Sequence, residues 1–260
     1  GNLIHALKDV PHGSVDYLHY WSEGLGMFVP VIVYTPPFYD DAKNRNKSYP
    51  VMYLISGTTD TEEVYFKVGK MNLILDNLIA EGKAKEMILV LPYGNPTLLK
   101  TERQPSQPAG GPGMGGFGMG GGYNFNTDFI ECLMPFVEKN YRTINDAAHR
   151  GIGGFSRGGN QGLSIGLSNL DKFSFLCSYS SFTQIRPGQF DDADAVNSKI
   201  RLFWSGIGVD DFLYGNSKDF MTALDNYGIK NIKEFTYDKF GHTWMNARTY
   251  LSTTLQLLFQ

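Results

Sequence analysis

Cysteine is almost absent: Cys132 and Cys177 are the only two in 260 residues. They lie far apart, lack C-x-x-C spacing and sit in apolar stretches ("ECLMPF", "SFLCSYS"), which reads as two buried free thiols, not a disulfide framework or a metal pair. Long apolar runs are missing as well. The longest, such as "MILVLP" at 87–92, fall far short of the roughly 20 residues a membrane-spanning helix needs, so no membrane span is expected. Charge of one sign is scarce too: the net charge is −3 and no Lys/Arg-rich run occurs. That removes any reason to expect a nucleic acid or an anionic membrane surface as partner. The opening "GNLIHALKDV" has neither a basic start nor a long apolar stretch, so it does not read as a signal peptide. Gly1 reads as the remnant of a cleaved tag, with the natural N-terminus expected upstream.

Apolar material is plentiful, at 42% of residues against 19% charged, enough for the core of one large domain over 1–260. Segments with strand character are "VDYLHYW" (15–21), "MFVPVIVYTPP" (27–37), "YPVMYLISG" (49–57), "EMILVLPYG" (86–94), "RGIGGFS" (150–156), "FSFLCSYS" (173–180), "IRLFWSGIG" (200–208) and "IKEFTYD" (232–238). Between them fall stretches with helical spacing of apolar residues, at 73–84, 128–142, 157–170, 217–228 and 245–259. Strands alternating with helices of this length imply an α/β fold: a mostly parallel sheet of about eight strands with helices on both faces. The first two strands precede any helix and are expected to form an antiparallel edge. One low-complexity segment, "PSQPAGGPGMGGFGMGGGYNF" (105–125), reads as a mobile Gly-rich loop. It is either a tolerated insertion or a flap over a cleft, with Met114, Phe117 and Met119 as its apolar underside.

The stretch "HRGIGGFSRGGNQG" (149–162) encloses one serine in glycines where a strand gives way to a helix. Gly154-Phe155-Ser156-Arg157-Gly158 fits G-x-S-x-G. Such a serine is either part of a plain glycine-rich turn or a nucleophile on a strained corner, where bulky neighbours two residues away would collide. A helix starting after Ser156 aims its first N–H groups at the negative charge of acyl transfer.

A serine nucleophile needs a base, and the base needs an orienting carboxylate; in this topology they follow in the order Ser, Asp or Glu, His. "WSGIGVDDFLY" ends a strand with Asp210 and Asp211, and "YDKFGHTWMN" ends the last strand with Gly241-His242. Of the five histidines only His242 follows the carboxylate; His12 and His19 belong with the edge strands, and His149 stands at the start of the Ser156 strand, the wrong end for chemistry. Loop periodicity does not choose between Asp210 and Asp211. The second oxyanion donor is expected after the third strand, in "ISGTTDTEE", with the N–H of Thr58 beside that of Arg157. The Arg157 side chain either pairs with a carboxylate or reaches an anionic substrate group. Trp244 either lines an acyl pocket or packs in the core.

"VYTPPFYD", "YPVMYLISG", "YRTINDAAHRGIGGFSRGG", "GVDDFLY" and "FGHTW" together resemble the α/β-hydrolase esterases that include feruloyl and acetylxylan esterases (carbohydrate esterase family one), with S-formylglutathione hydrolase and enterochelin esterase as more distant relatives. The resemblance implies Ser156 as nucleophile, His242 as base and Asp211, closing Gly-x-x-Asp, as the acid. It implies removal of hydroxycinnamate or acetate from plant cell-wall polysaccharide through an acyl-enzyme, with no metal and no cofactor. Whether the chain is a whole enzyme or one module excised from a larger polysaccharide-degrading protein stays open, with a secreted or periplasmic location expected. Two positions depart from the pattern: Ser56-Gly57 stands where relatives carry His-Gly, and Arg157 where they commonly carry Met. A siderophore esterase, a thioesterase and a catalytically impaired carbohydrate-binding module stay open as alternatives.

Overall fold

The computed structural model describes residues 3–101 and 123–260. Eight strands hydrogen-bond into one sheet: β1 (Ser14–Ser22), β2 (Met27–Thr35), β3 (Val51–Ile55), β4 (Ile88–Pro92), β5 (Arg150–Phe155), β6 (Phe175–Tyr179), β7 (Leu202–Gly208) and β8 (Ile232–Thr236). Their spatial order is β1-β2-β4-β3-β5-β6-β7-β8. The expected antiparallel edge is present, with β1 paired to β2 from Ser14↔Thr35 to Ser22↔Met27. β2 is also antiparallel to β4, and every pairing from β4 through β3 to β8 is parallel.

Every residue of β3 to β7 is buried, because helices cover both faces of a parallel sheet. That is why these strands read as unbroken apolar runs. At the far edge, β8 carries Lys233 and Glu234 and stays partly exposed, a charged edge that resists pairing with another chain. One apolar layer gathers Tyr53, Ile55, Phe129, Leu163 and Leu176. The other gathers Ile32, Tyr34, Leu75, Trp204 and Leu255. Short helices at Val64–Lys67, Leu98–Thr101 and Ala193–Lys199 escape the sequence pattern because they span too few turns to establish a period. Residues 105–122 of the Gly-rich segment, Met114, Phe117 and Met119 among them, lie outside the described residues.

Two polar clusters tie distant segments to the sheet. Buried Asp128 accepts hydrogen bonds from Tyr20 Oη (2.8 Å) and Ser22 Oγ (2.5 Å). Buried Asp76, on the helix Met71–Ala80, accepts from Tyr34 Oη at 2.6 Å and the Gly13 N–H at 3.0 Å, and bonds His12 Nδ1 at 2.8 Å.

The strand-to-helix corner after β5 is tightly constrained. Ser156 sits at φ 57°, ψ −127°, directly before the helix Arg157–Ser168, a conformation that costs a side-chain-bearing residue about 1–3 kcal/mol. Its N–H donates to Tyr179 O at 2.9 Å, and its carbonyl accepts from Ser181 Oγ at 2.5 Å and the Asn160 N–H at 3.1 Å. The corner also presses the chain against β3: a Cβ on Gly158 would lie 2.0 Å from Ile55 O and 2.5 Å from Ser56 O. Tyr65 Oη donates to Ile55 O (2.9 Å) and accepts from the Phe155 N–H (3.0 Å), bridging β3 and β5 where their direct pairing ends at Ile55↔Gly154.

Gly158→Ala is therefore expected to cost about 2–4 kcal/mol of stability. Urea unfolding checks this; a midpoint equal to that of the parent chain would contradict the close approach.

Candidate active site

The carboxyl ends of β5, β7 and β8 bring three predicted residues together at one rim of the sheet. His242 Nε2 lies 2.9 Å from Ser156 Oγ, and His242 Nδ1 lies 2.8 Å and 3.0 Å from the two carboxylate oxygens of Asp211. For Nε2 to accept the serine proton, Nδ1 must carry the ring hydrogen, and the Asp211 carboxylate is placed to hold that tautomer. The Asp211 side chain is fully buried, and its Oδ1 also accepts the Leu213 N–H at 2.8 Å. Asp210 is exposed. The local turn makes the difference: the Asp211 N–H bonds Gly208 O at 3.1 Å, which directs its side chain back over the end of β7.

His242 stands just before the helix Trp244–Leu257, and buried Asn246 steadies its loop by donating to Gly241 O at 2.9 Å. The imidazole packs between Phe155 and Phe212, with ring centroids 4.8 Å and 4.6 Å away. His149 lies in the turn before β5, bonded to Asp146 at 2.7 Å, so it stands at the opposite end of the strand from Ser156.

A cleft of about 390 Å³ opens over Ser156 and His242, walled by Thr58, Thr59, Asp60, Phe155, Phe212 and Trp244. A larger cleft of about 530 Å³, between Ser14, Thr35, Tyr39 and Arg142, lies at the opposite rim and carries none of the predicted site residues. The smaller cleft is the one with reactive groups. Trp244 lines the cleft and packs on Phe155 (5.0 Å) and edge-on to Tyr65 (4.9 Å).

Thr58 and Arg157 flank the serine from two sides, one on the loop after β3 and one on the first turn of the following helix. Asn95 Nδ2 holds the Thr58 carbonyl at 2.6 Å, and Ser56 Oγ accepts the Gly94 N–H at 3.2 Å. Ser56 thus ties the loop after β3 to the loop after β4. The Arg157 guanidinium donates to Gly94 O at 3.3 Å, a backbone partner that neither sequence reading named.

Sequence reasoning missed Asp60, Asn95, Tyr65 and Phe212. Phe212 had a local signal, since it follows the acidic pair directly; the other three act through contacts that only the fold creates. Burial raises the Asp60 carboxyl above the usual carboxylate range, while hydrogen bonds from the Trp244 side chain and the Gly57 backbone hold the shift back. A raised carboxyl destabilises the folded state once ionised, and the penalty fades as pH falls through the folded-state value. Asp60→Asn is accordingly expected to raise Tm at neutral pH, with the gain shrinking toward zero in acid. Melting curves across pH check this, and a gain that grows in acid would reverse the assignment.

The family model "Putative esterase" matches residues 22–245. The chain is 30% identical over 254 residues to an endo-1,4-beta-xylanase/feruloyl esterase of Xylanibacter ruminicola, covering 97% of this chain and 32% of that protein. It is 26% identical over 260 residues to endo-1,4-beta-xylanase Y of Acetivibrio thermocellus, covering 87% of this chain and 21% of that protein. The chain thus spans a third or less of the length of these curated relatives. A CE1 ferulic acid esterase from Anaeromyces mucronatus, solved with ferulic acid, superposes with a TM-score of 0.78 at 21% identity, covering 100% of this chain and 96% of that one; the fold shared is the α/β-hydrolase fold. Among the described residues no helix is long and apolar enough to cross a membrane. With the family model spanning most of its length, the chain belongs to the esterase family.

Proposed function

We propose that this chain is a serine carboxylesterase, one catalytic domain, that removes feruloyl or acetyl groups from plant cell-wall polysaccharide such as xylan. The observation that carries the reading is the unbroken hydrogen-bonded chain Ser156–His242–Asp211 inside a cleft. Support for the substrate class comes from relatives named as xylanase/feruloyl esterase and from the likeness to ferulic acid esterases. A cleft walled by Phe155, Phe212 and Trp244 suits a planar phenolic acid better than acetate, since ring-on-ring contact adds to simple burial. A secreted or periplasmic location suits action on cell-wall polysaccharide and its released fragments, and the length of the relatives supports one module within a larger polysaccharide-degrading protein.

In the proposed reaction His242 Nε2 takes the Ser156 hydroxyl proton as Oγ bonds to the ester carbonyl carbon. The resulting oxyanion would rest on the N–H groups of Thr58 and Arg157, at the positive end of the helix that starts at Arg157. Asp211 stabilises the imidazolium without taking its proton. His242 then protonates the sugar oxygen, whose bond to the acyl carbon breaks. Water, deprotonated by the same imidazole, attacks the acyl-enzyme, releases the acid and restores Ser156.

Ser156→Ala is expected to lower kcat on methyl ferulate by at least about 10³-fold while the circular dichroism spectrum stays unchanged. Asp211→Asn is expected to lose about 10⁴-fold by freeing the wrong tautomer. Turnover retained by the alanine variant would assign the nucleophile elsewhere. Running acetylated xylan, a thioester and a cyclic siderophore beside methyl ferulate fixes the acyl class.

A further inference from the structure

We propose that Trp21 and Phe28 form a second binding site, a stacking platform for the sugar backbone of the polysaccharide whose ester is cleaved at Ser156. The two residues are cross-strand partners on β1 and β2. Their rings meet edge to face at 5.2 Å, yet Trp21 is 44% and Phe28 61% exposed. Tyr17, also exposed, lies on the same face of β1, four residues before Trp21. Two large aromatic rings left open side by side on one sheet face form an exposed apolar patch, which points to an occupant.

Position names that occupant. β2 runs antiparallel to β4, with Val31 opposite Pro92, so the turn between β1 and β2 lies at the rim where the parallel strands end and Ser156 sits. Side chains alternate along a strand; Phe28 therefore shares a face with Ile32 and Tyr34, which pack in the same apolar layer as Phe155 and Trp244 of the cleft wall. Residues 60–67 connect cleft to platform: Asp60 walls the cleft, Glu62 lies within electrostatic reach of His19, and Lys67 within reach of Tyr17. Four strand spacings separate β1 from β5, about 19 Å along the rim. A polymer whose acyl group fills the cleft must leave over the surface, and along this route it meets the platform within a few sugars.

The chemistry agrees. A pyranose presents apolar C–H faces and a girdle of hydroxyls. Aromatic rings take the faces, and the polar groups beside the β1 face that carries them, with Glu62 in electrostatic reach of His19 and Lys67 of Tyr17, offer partners to the hydroxyls. The mixture of signs disfavours a polyanion. The inference rests on the esterase reading for its substrate but makes a separate claim about binding.

The test uses the Ser156→Ala protein, which binds without turning over, in native gels containing soluble arabinoxylan. Retardation is expected, and adding Trp21→Ala and Phe28→Ala is expected to weaken the apparent Kd about 3- to 10-fold. With Ser156 intact, the double variant should keep kcat/KM on methyl ferulate within about twofold and lose about 3- to 10-fold on feruloylated arabinoxylan, through KM. If the double variant melts early, Trp21→Ala alone carries the same comparison. Equal retardation of parent and variant overturns the platform. So does a parallel loss on methyl ferulate, or a dimer in sedimentation that the substitutions dissociate, which would make the pair a contact between copies. Platform-dependent retardation by a parent that cleaves no feruloyl ester would leave the platform standing and sink the reaction instead.

Discussion

The arrangement depends on one backbone constraint: Ser156 held at a positive φ between β5 and the helix that follows. Nothing intrinsic to serine favours that conformation. It persists because three hydrogen bonds fix its peptide groups and because Gly158 lets the first helical turn approach the backbone of Ile55 and Ser56. The strain is local and the restraint comes from neighbouring strands, so the hydroxyl is aimed before any ligand arrives. Tyr65 completes the device. By bridging Ile55 O and the Phe155 N–H, its hydroxyl satisfies two buried groups that would otherwise be left unpaired where the strands diverge.

Around that corner, polar groups are matched in pairs. Asp211 is removed from water but accepts from both the His242 ring and the Leu213 N–H, as a buried carboxylate requires. The loops that close the cleft are braced by Ser56, Asn95 and Asn246. Asp60 is the less comfortable member: half-buried beside His242 and only partly compensated. Its carboxyl lines the same cleft as Ser156 and His242.

What the sequence disclosed follows from the range of the interactions involved. Core strands such as "VMYLI" and "ILVLP" announce themselves because burial on both faces leaves no polar position. The corner is legible because its glycines are a local steric demand, and His242 because topology fixes where a base can lie. The choice between Asp210 and Asp211 rested on resemblance, since a one-residue phase within a turn depends on the hydrogen bond to Gly208 O. Asn95, Asp60 and Tyr65 left no trace in their own neighbourhoods: each owes its place to the packing of the loop after β3 against a neighbouring strand end or the last helix. The Trp21–Phe28 pair was hidden differently, as two ordinary strand residues until register set them opposite one another.

The cluster around Asp76 bears on where this folded unit starts. The carboxylate is shut away from solvent, and two of its three partners, His12 and the Gly13 N–H, precede the first strand. A boundary drawn at Ser14 would keep the whole sheet yet strand an anion in the interior, at a cost of about 3–5 kcal/mol for a charge deprived of its partners. Residues 3–13, though they carry no regular structure, are a plug the molecule cannot shed cheaply.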